Sequence, residues 1–392
     1  MPEPGNNLKL IRRLLNSAAV QSTFLWLRTG NEAFAEMLKA IEAAKSSIRL
    51  EMYIVTASPV AIKFRDALSE ACQRGVRVHL LVDALGSITL SESFWDNFRK
   101  SGGHFRWFNR LSHGNWGVRN HRKSLVCDEK VAFVGGFNIA PEYEGDGMAA
   151  GWRDLGIKLT GPIACHLAEA FDQMFALAES KQSALARLFK PRQQKTVKVP
   201  SAELLLSAPG RVHNPLKRAL RLDLERARSV QIICAYFLPT WRIRRELHRI
   251  ARQGGRVRLI LPCKCDVALS RLAARSFYRG MMQAGIEIYE YQPQVLHAKM
   301  FIIDDVAYTG SCNLDARSLY LNYELLVRLA EPKVVEEART IFSADLQHCE
   351  KMDLARWKKT RTFWDQLKGR WAHFILARLD PYFSRKQWRF LR

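Results

Sequence analysis

The residues of this chain whose types and spacing could do chemistry form one short pattern that occurs twice. Each copy reads H-x-K-x-x-x-x-D and precedes a small-residue turn that ends in asparagine; the residues are His121, Lys123, Asp128 and Asn138 in the first copy, and His297, Lys299, Asp304 and Asn313 in the second. At average composition three fixed residues match at roughly 1 position in 8,000, so one copy alone would carry little weight. Two copies in matching surroundings indicate a shared function.

The pattern predicts which motif side chains share a pocket. Because side chains alternate along a strand, His121 and Lys123, two residues apart, point to the same side. Asp128 does not share that side by simple alternation, so it is expected to organise a turn or to support the site without touching substrate. A pseudo-twofold axis would bring two His, two Lys and the amides of Asn138 and Asn313 around one small anion. Such a set suits a phosphate, whose oxygens accept hydrogen bonds from several charged or polar donors.

Two imidazoles suit the exchange of phosphodiesters. One histidine, neutral, attacks phosphorus and forms a phosphohistidine; the other, protonated, donates to the leaving alkoxide and then accepts a proton from the incoming hydroxyl. Their surroundings must hold the two in opposite protonation states. Asp154 and Glu324, 16 and 11 residues after the two asparagines, are candidates to orient them, with ordinary surface acids as the alternative. Lysine and asparagine supply the charge stabilisation, so neither a metal nor another cofactor is predicted.

The elements that must position these residues recur in the same order. Each half shows helix, strand, helix and strand before its motif: 31–44, 47–55, 59–74 and 76–83 in the first half, and 215–228, 230–238, 241–252 and 256–261 in the second. Alternating strands and helices predict an α/β fold with largely parallel sheets covered by helices. The two histidines are 176 residues apart, and Gly103 and Gly285, before the preceding strands, are 182 apart. These spacings indicate an internal duplication.

Composition divides the chain into five predicted units. They are an N-terminal basic amphipathic segment (1–29), a first half (30–185), a basic linker (186–205), a second half (206–350) and a C-terminal tail rich in cations and aromatics (351–392). The tail composition favours an interfacial helix on anionic lipid. A helix docked on the body and a segment that binds single-stranded nucleic acid are the alternatives. For the N-terminal segment the alternatives are a membrane surface and packing on the body.

The charge balance indicates a polyanionic partner. The chain has 61 Lys and Arg against 38 Asp and Glu, a net charge of +23. Nucleic acid, an anionic membrane surface and phosphate-bearing substrates all fit this surplus. The N-terminus does not read as a secretory signal, and no stretch of 18 residues is free of charge. The sequence therefore predicts a cytosolic protein that is attached to a membrane from that side.

The duplicated motif resembles that of the phospholipase D superfamily, and the order of the chain from about 30 to 330 is similar to its bacterial cardiolipin synthases. Similar stretches include Leu-Glu51-Met-Tyr-Ile, Arg74-Gly-Val-Arg-Val, Trp152-Arg-Asp-Leu-Gly and Asn313-Leu-Asp-Ala-Arg-Ser. The resemblance implies an α/β/α sandwich in each half, with one active site at their interface. It implies that His121 is the nucleophile and His297 the acid and base. It assigns catalysis to six motif residues: His121, Lys123, Asp128, His297, Lys299 and Asp304.

The resemblance implies a phosphatidyltransferase that joins two phosphatidylglycerols into cardiolipin, releases glycerol and acts on anionic membranes. Unlike the best-known synthases, the chain shows no pair of N-terminal transmembrane helices and is similar to a shorter class. It is expected on the cytoplasmic face of the bacterial inner membrane, in an undetermined oligomeric state. One alternative is a phosphodiesterase that acts on other phospholipids or on nucleic acid. Nucleic acid is the less favoured substrate, because nucleases of the superfamily are often a single half that dimerises, whereas both halves are fused here. The other alternative is a non-catalytic binding protein of this fold.

Overall fold

Two mixed sheets, each with helices packed against it, make up the protein. The computed structural model describes residues 22–109, 117–179, 194–210, 214–360 and 363–376. The seven-stranded sheet belongs to the first half, and the nine-stranded sheet to the second. This architecture confirms the predicted α/β class and the predicted duplication. Contrary to the prediction, the sheets are not largely parallel, because each motif strand pairs antiparallel with the next strand through a short turn, which a parallel pair cannot have.

The first half orders its strands β1-β7-β6-β5-β2-β3-β4. Strands β2, β3 and β4 run parallel, and the pairs from β2 through β5, β6 and β7 to β1 are antiparallel. The elements are β1 (Thr23–Leu27), α1 (Gly30–Ala43), β2 (Ser47–Met52), α2 (Pro59–Gln73), β3 (Arg77–Asp83), α3 (Asp96–Lys100), β4 (His104–Phe108), β5 (Ser124–Cys127), β6 (Val131–Gly135), β7 (Gly156–Thr160) and α4 (Pro162–Glu179), with 3-10 turns at Glu92–Trp95 and Pro141–Tyr143.

The second half repeats this core and adds strands at both edges. Its order is β16-β12-β11-β10-β13-β14-β15-β9-β8, in which β10, β11 and β12 run parallel. The elements are β8 (Lys195–Val199), β9 (Ala202–Ser207), α5 (Pro215–Arg226), β10 (Ser229–Cys234), α6 (Trp241–Arg252), β11 (Arg256–Lys264), α7 (Ala268–Arg275), α8 (Tyr278–Gln283), β12 (Glu287–Val295), β13 (Lys299–Ile303), β14 (Val306–Gly310), α9 (Ala316–Tyr320), β15 (Glu324–Leu329), α10 (Pro332–Leu346), β16 (Cys349–Lys351), α11 (Leu354–Thr360) and α12 (Phe363–Phe374).

Local sequence fixes where the first helices begin. The side chains of Thr29 and Ser58 cap α1 and α2 by accepting the backbone N–H groups of Glu32 and Ala61. Such a cap stabilises a helix by about 1 kcal/mol. Each helix then buries one apolar face against the sheet. These boundaries lie within a residue of those predicted from the hydrophobic spacing.

The two halves share one core. Ile157 and Leu159 of β7 lie in the same buried apolar cluster as Ile302 of β13 and Val327 of β15. The Trp26 side chain of β1 adds a hydrogen bond from its indole N–H to the carbonyl of Val334, 3.1 Å away in the second half. Because this contact surface is a continuous core, the halves hold a fixed mutual position.

Three predicted boundaries differ in the structure. Residues 195–205, predicted as linker, form β8 and part of β9, because Val197 and Val199 alternate with polar residues and pack on the shared core. Residues 23–27, predicted within the N-terminal segment, form edge strand β1. Within the predicted tail, residues 354–360 and 363–376 are helical, and Ala372 is buried beside Ala273 of the body. Residues 1–21, 180–193, 361–362 and 377–392 of these units lie outside the described residues.

No helix in the described ranges is long and apolar enough to cross a membrane.

Candidate active site

Equivalent strands deliver the two motif histidines. Strand β5 runs antiparallel to β2 and begins beside the end of that strand; β13 has the same relation to β10. His121 and His297 lie just before β5 and β13. Both imidazoles are therefore placed at the sheet edge where the parallel strands of their half end.

A reciprocal exchange of backbone hydrogen bonds brings the histidines together. The N–H of His121 donates to the carbonyl oxygen of Tyr323 at 3.0 Å, and the N–H of His297 donates to that of Arg153 at 2.8 Å. Tyr323 and Arg153 each directly precede a candidate carboxylate in the chain. The exchange that joins the halves thus carries each carboxylate to the histidine of the other half.

Each imidazole is paired with one buried carboxylate. Nδ1 of His121 lies 3.0 Å from Oε2 of Glu324, and Nδ1 of His297 lies 2.6 Å from Oδ2 of Asp154. Both carboxylates are buried, and the hydroxyl of Ser311 also donates to Glu324. Since a carboxylate only accepts, each imidazole donates from Nδ1 and leaves Nε2 for chemistry. The sequence predicted both acids, but it did not predict that each one pairs with the histidine of the other half.

Two lysines converge on the same space. Nζ of Lys123 donates to the carbonyl of His121 at 2.8 Å, and Nζ of Lys299 lies 2.8 and 3.1 Å from the two ring nitrogens of His297. Burial, together with the charge of Lys299, lowers the pKa of Lys123 to about 7. Burial also lowers the pKa of Lys299. A pair of desolvated ammonium groups is stabilised by an anion between them, so the site is built to take one.

Burial also favours the neutral form of both imidazoles. It lowers the pKa of His121 to about 4, against the opposing influence of Glu324. The pKa of His297 is lowered by burial and by the charge of Lys299. A neutral imidazole is what a nucleophile requires. An acid must instead acquire a proton, which an incoming phosphate favours by offsetting the lysine charges.

The asparagines, predicted to contact phosphate, have different surroundings. Oδ1 of Asn138 accepts the N–H of Ile54 at 3.1 Å, and its Nδ2 donates to the hydroxyl of Tyr143 at 2.7 Å. Asn138 therefore fixes a tyrosine whose hydroxyl is 3.5 Å from His297 Nδ1. Asn313 is buried after β14, and its Oδ1 has no hydrogen-bond partner within the described residues.

The aspartates of the motif lie away from the histidines. The carboxylate of Asp128 accepts the backbone N–H groups of 45–47, and that of Asp304 accepts those of 228 and 229. Both residues have positive φ, 55° and 43°, and end their strands at the opposite edge. The catalytic assignment taken from the resemblance does not fit this placement. The placement of both aspartates does fit the turn role that strand alternation predicted.

Aromatic rings that the sequence analysis did not single out enclose both imidazoles. The Tyr53 ring lies 4.7 Å from that of His121, with Nζ of Lys123 4.9 Å from the Tyr53 ring. Three ring centroids surround His297 at 5.4, 5.6 and 6.2 Å: Tyr143, Trp152 and Tyr236. Tyr53 lies one residue after β2 and Tyr236 lies two residues after β10, so comparing the residues that follow these two strands could have found this pair.

A buried polar network fixes Asn120, the residue that directly precedes His121. Asn120 donates from Nδ2 to Glu51 at 2.7 Å and from its backbone N–H to Asp83 at 2.8 Å. Burial raises the pKa of Asp83 to about 6, despite its backbone hydrogen bonds. Glu51 was noted only as part of a similar stretch, and Asp83 only as the end of a strand. Their three-way contact spans residues too distant for a sequence pattern to reveal.

The site offers nitrogen cations rather than a metal-binding set. Across the described ranges, His, Cys, Asp and Glu do not form a group of three or more that could hold a metal ion. One carboxylate lies against each histidine, and the lysines occupy the adjacent space. Charge stabilisation at this site can therefore come from the two lysines.

Known proteins of one family are similar to most of this chain. The profile of the family described as cardiolipin synthase, PLD-like domain, matches residues 37–174 and 220–346. Cardiolipin synthase 1 of Bacillus cereus is 31% identical over 84% of this chain and 68% of its own length; that of Bacillus anthracis is 30% identical over the same shares. In fold, the phosphatidylserine synthase of Haemophilus influenzae Rd KW20 is similar, with a TM-score of 0.72 at 13% identity, over 96% of this chain and 99% of the other.

Proposed function

We propose that this chain, which belongs to the cardiolipin synthase family of phospholipase D-like phosphatidyltransferases, transfers a phosphatidyl group from one phosphatidylglycerol to another and releases glycerol. The observation that carries the proposal is the pair of histidine–carboxylate contacts exchanged between the halves, with two lysines beside them. The names of the relatives, cardiolipin synthase 1, supply the substrate class.

The first half-reaction uses His121 as nucleophile. Its Nδ1–H donates to Glu324, so the lone pair of Nε2 attacks phosphorus. The phosphorus–oxygen bond to glycerol breaks as the phosphorus–nitrogen bond forms. His297, protonated when the phosphate is bound, gives its proton to the glycerol alkoxide. The products are a phosphatidyl-histidine and free glycerol.

The second half-reaction reverses these roles with a new alcohol. The neutral His297 removes a proton from the terminal hydroxyl of the second phosphatidylglycerol, and the resulting alkoxide attacks phosphorus. The phosphorus–nitrogen bond breaks and His121 returns to its neutral form. Asp154, 2.6 Å from Nδ1 of His297, stabilises the imidazolium that donates in the first step and forms again in the second.

The lysines stabilise the charge that builds on the non-bridging oxygens. Lys123 and Lys299 are already buried, so little reorganisation is needed when phosphate enters. Asn138 is assigned a positioning role through Tyr143, and Asn313 remains a proposed phosphate ligand because the Nδ2 amide of its buried side chain can donate to a phosphate oxygen. The motif aspartates, Asp128 and Asp304, are assigned to turns.

The charge surplus and the lipid substrates support peripheral attachment to the cytoplasmic face of the bacterial inner membrane. We keep the predicted division into two halves and propose that the second half begins at β8. A second candidate function, phosphodiester hydrolysis of nucleic acid, is favoured by the same net charge of +23.

Purified protein with phosphatidylglycerol vesicles, beside His121→Ala, tests the proposal with lipid products resolved by mass spectrometry. Cardiolipin and an equal amount of glycerol from the wild type alone are expected. Phosphatidic acid alone would mean that water is the acceptor and would overturn the transferase. Cleavage of single- or double-stranded DNA by the wild type but not the variant, without a lipid product, would establish the second candidate.

A further inference from the structure

Exposed apolar side chains follow the ends of the parallel strands in both halves. Among the described residues, large exposed hydrophobic side chains follow the ends of four parallel strands: Ile62 after β2, Ile88 after β3, Trp241 after β10 and Val267 after β11. The histidines lie at these same edges. Both halves therefore carry exposed apolar groups in the segments that follow the strand ends at this edge, and we call these four residues the apolar rim.

Helix α6 adds a dense positive charge to this rim. It begins at Trp241, which is 62% exposed, and carries five arginines against one glutamate. The guanidinium of Arg245 lies 4.9 Å from the Trp241 ring, and Arg242 and Arg245 are both exposed. Arginine beside an exposed tryptophan is the combination found at the surface of anionic bilayers, where the ring enters the headgroup layer and the cation contacts phosphate.

Open grooves flank α6 on both sides. One, of about 590 Å³, lies between α5 and α6 and includes Arg218, Arg221 and Arg242. The other, of about 710 Å³, lies between α6 and α8 and includes Arg244, Arg252 and Phe277. Each groove combines several cations with apolar side chains, which suits a phospholipid headgroup and the first part of its chains.

Helix α12 continues the surface. The guanidinium of Arg244 lies 4.4 Å from the Phe277 ring, and the His373 ring of α12 packs on the same phenylalanine at 4.9 Å. Beyond that contact, α12 leaves a row of apolar side chains exposed: Trp364, Trp371, Phe374 and Ile375. The opposite side of the helix is anchored, since Ala372 is buried against the body. The helix is thus docked on the protein, and its aromatic side is exposed among the residues that the structure describes.

From these observations we propose that the apolar rim, the arginines of α6 and the exposed side of α12 form one surface that docks on an anionic phospholipid bilayer, with the active-site approach facing the lipid. The proposal rests on the proposed function in one respect: an enzyme that acts on phospholipids must bring its active site to the bilayer. A partner of this chemistry is favoured over single-stranded nucleic acid because the exposed groups include aliphatic residues, Ile62, Ile88 and Val267, which offer no stacking platform for bases.

Vesicle co-sedimentation of the full chain tests the proposal with a matched pair of charge reversals. Arg242→Glu with Arg245→Glu alters α6, whereas Arg77→Glu with Lys100→Glu changes net charge equally at the amino ends of β3 and β4. Binding to phosphatidylglycerol–phosphatidylcholine vesicles is expected to weaken about 30-fold or more for the first pair and less than about threefold for the second. Equal weakening by both pairs would overturn the proposal.

A second matched pair tests the apolar contribution. Ile88→Ser removes a rim side chain that is 58% exposed, and Leu25→Ser removes one that is 49% exposed on edge strand β1. Several-fold weaker vesicle binding is expected only for Ile88→Ser. Equal binding of the two variants contradicts insertion of the rim.

The two proposals fail in different ways. Vesicle binding needs no turnover, so a wild type that binds through the rim but forms no lipid product would refute the transferase alone. Cardiolipin formation with wild-type binding by all rim variants would refute the docking surface alone. Absence of wild-type binding to phosphatidylglycerol vesicles, or loss of single-stranded DNA binding by the α6 reversal with vesicle binding intact, would also overturn the docking surface.

Discussion

The two halves place the same motif in different surroundings. His121 is paired with Glu324 at 3.0 Å and packs on Tyr53, whose hydroxyl is 3.4 Å from a guanidinium nitrogen of Arg119. His297 is paired with Asp154 at 2.6 Å and packs near Tyr236. Each histidine thus has one carboxylate and one tyrosine beside it, but the charged groups next to the two tyrosines differ.

The difference lies in the charged groups that contact the tyrosine beside each histidine. The Tyr236 hydroxyl donates to Asp266, and that carboxylate favours the charged form of His297, although burial lowers the pKa overall. The corresponding tyrosine of the first half meets a cation instead. Once a phosphate offsets the lysines, the carboxylates beside His297 favour an imidazolium there. This difference supports the proposed division of the two histidines into one nucleophile, His121, and one acid, His297.

The largest expected effects come from removing either imidazole. His121→Ala and His297→Ala should each lower the rate of cardiolipin formation by about 10⁴-fold or more, because each takes part in both half-reactions. Initial rates on phosphatidylglycerol in mixed micelles measure the loss. Unchanged melting temperatures would show that the variants fold. A loss below about tenfold in either variant would break the proposed division of roles.

Removing one carboxylate at a time should cost about 10²- to 10⁴-fold in rate. Glu324→Gln and Asp154→Asn keep shape but can no longer fix the imidazole as an Nδ1 donor. Asp154→Asn is expected to shift the pH profile for protonation of the acid to lower pH, since the imidazolium loses its counter-charge. An equal shift in Glu324→Gln would erase the difference between the halves.

Anion binding should depend on pH through the lysines. The folded pKa of Lys123, about 7, lies below its unfolded value, so above pH 7 the free site loses a positive charge. Affinity for sulfate, whose charge is constant in this range, should be level below pH 7 and fall as pH rises above it. Titration calorimetry measures the affinity, and Lys123→Met should bind weakly with a flatter profile. A level wild-type profile from pH 6 to 9 would contradict the role of Lys123.

The motif aspartates should affect stability more than rate. Asp128→Ala and Asp304→Ala each leave several backbone N–H groups at a turn without their acceptor, and should lower the free energy of unfolding by about 1–2 kcal/mol. Backbone hydrogen bonds hold the pKa of Asp128 at about 2 against the effect of burial, so its contribution should be lost as pH falls from about 4 towards 2. Folded variants should keep the rate within about threefold. A loss of 10²-fold at unchanged stability would restore the catalytic assignment.

Much of the fold could be predicted because the signals were local and occurred twice. The spacing of apolar residues located α1, α2 and α6, and strand alternation placed the motif aspartates in turns. The linker was missed in part because the cations at 195 and 198 obscured the alternation that makes β8 a strand. The site was predicted in composition, but the contact of His121 with Glu324 joins residues 203 positions apart. Only the packing of the halves determines that crossing.

The most direct test of the two roles is capture of the covalent intermediate. With a phosphodiester whose leaving group needs no proton, such as a p-nitrophenyl ester, His297→Ala should release a stoichiometric burst and retain the phosphoryl group on His121, detected by intact-protein mass spectrometry. His121→Ala should show neither burst nor adduct. An adduct on His297 in the His121→Ala protein, or no adduct in either variant despite slow turnover, would contradict the account.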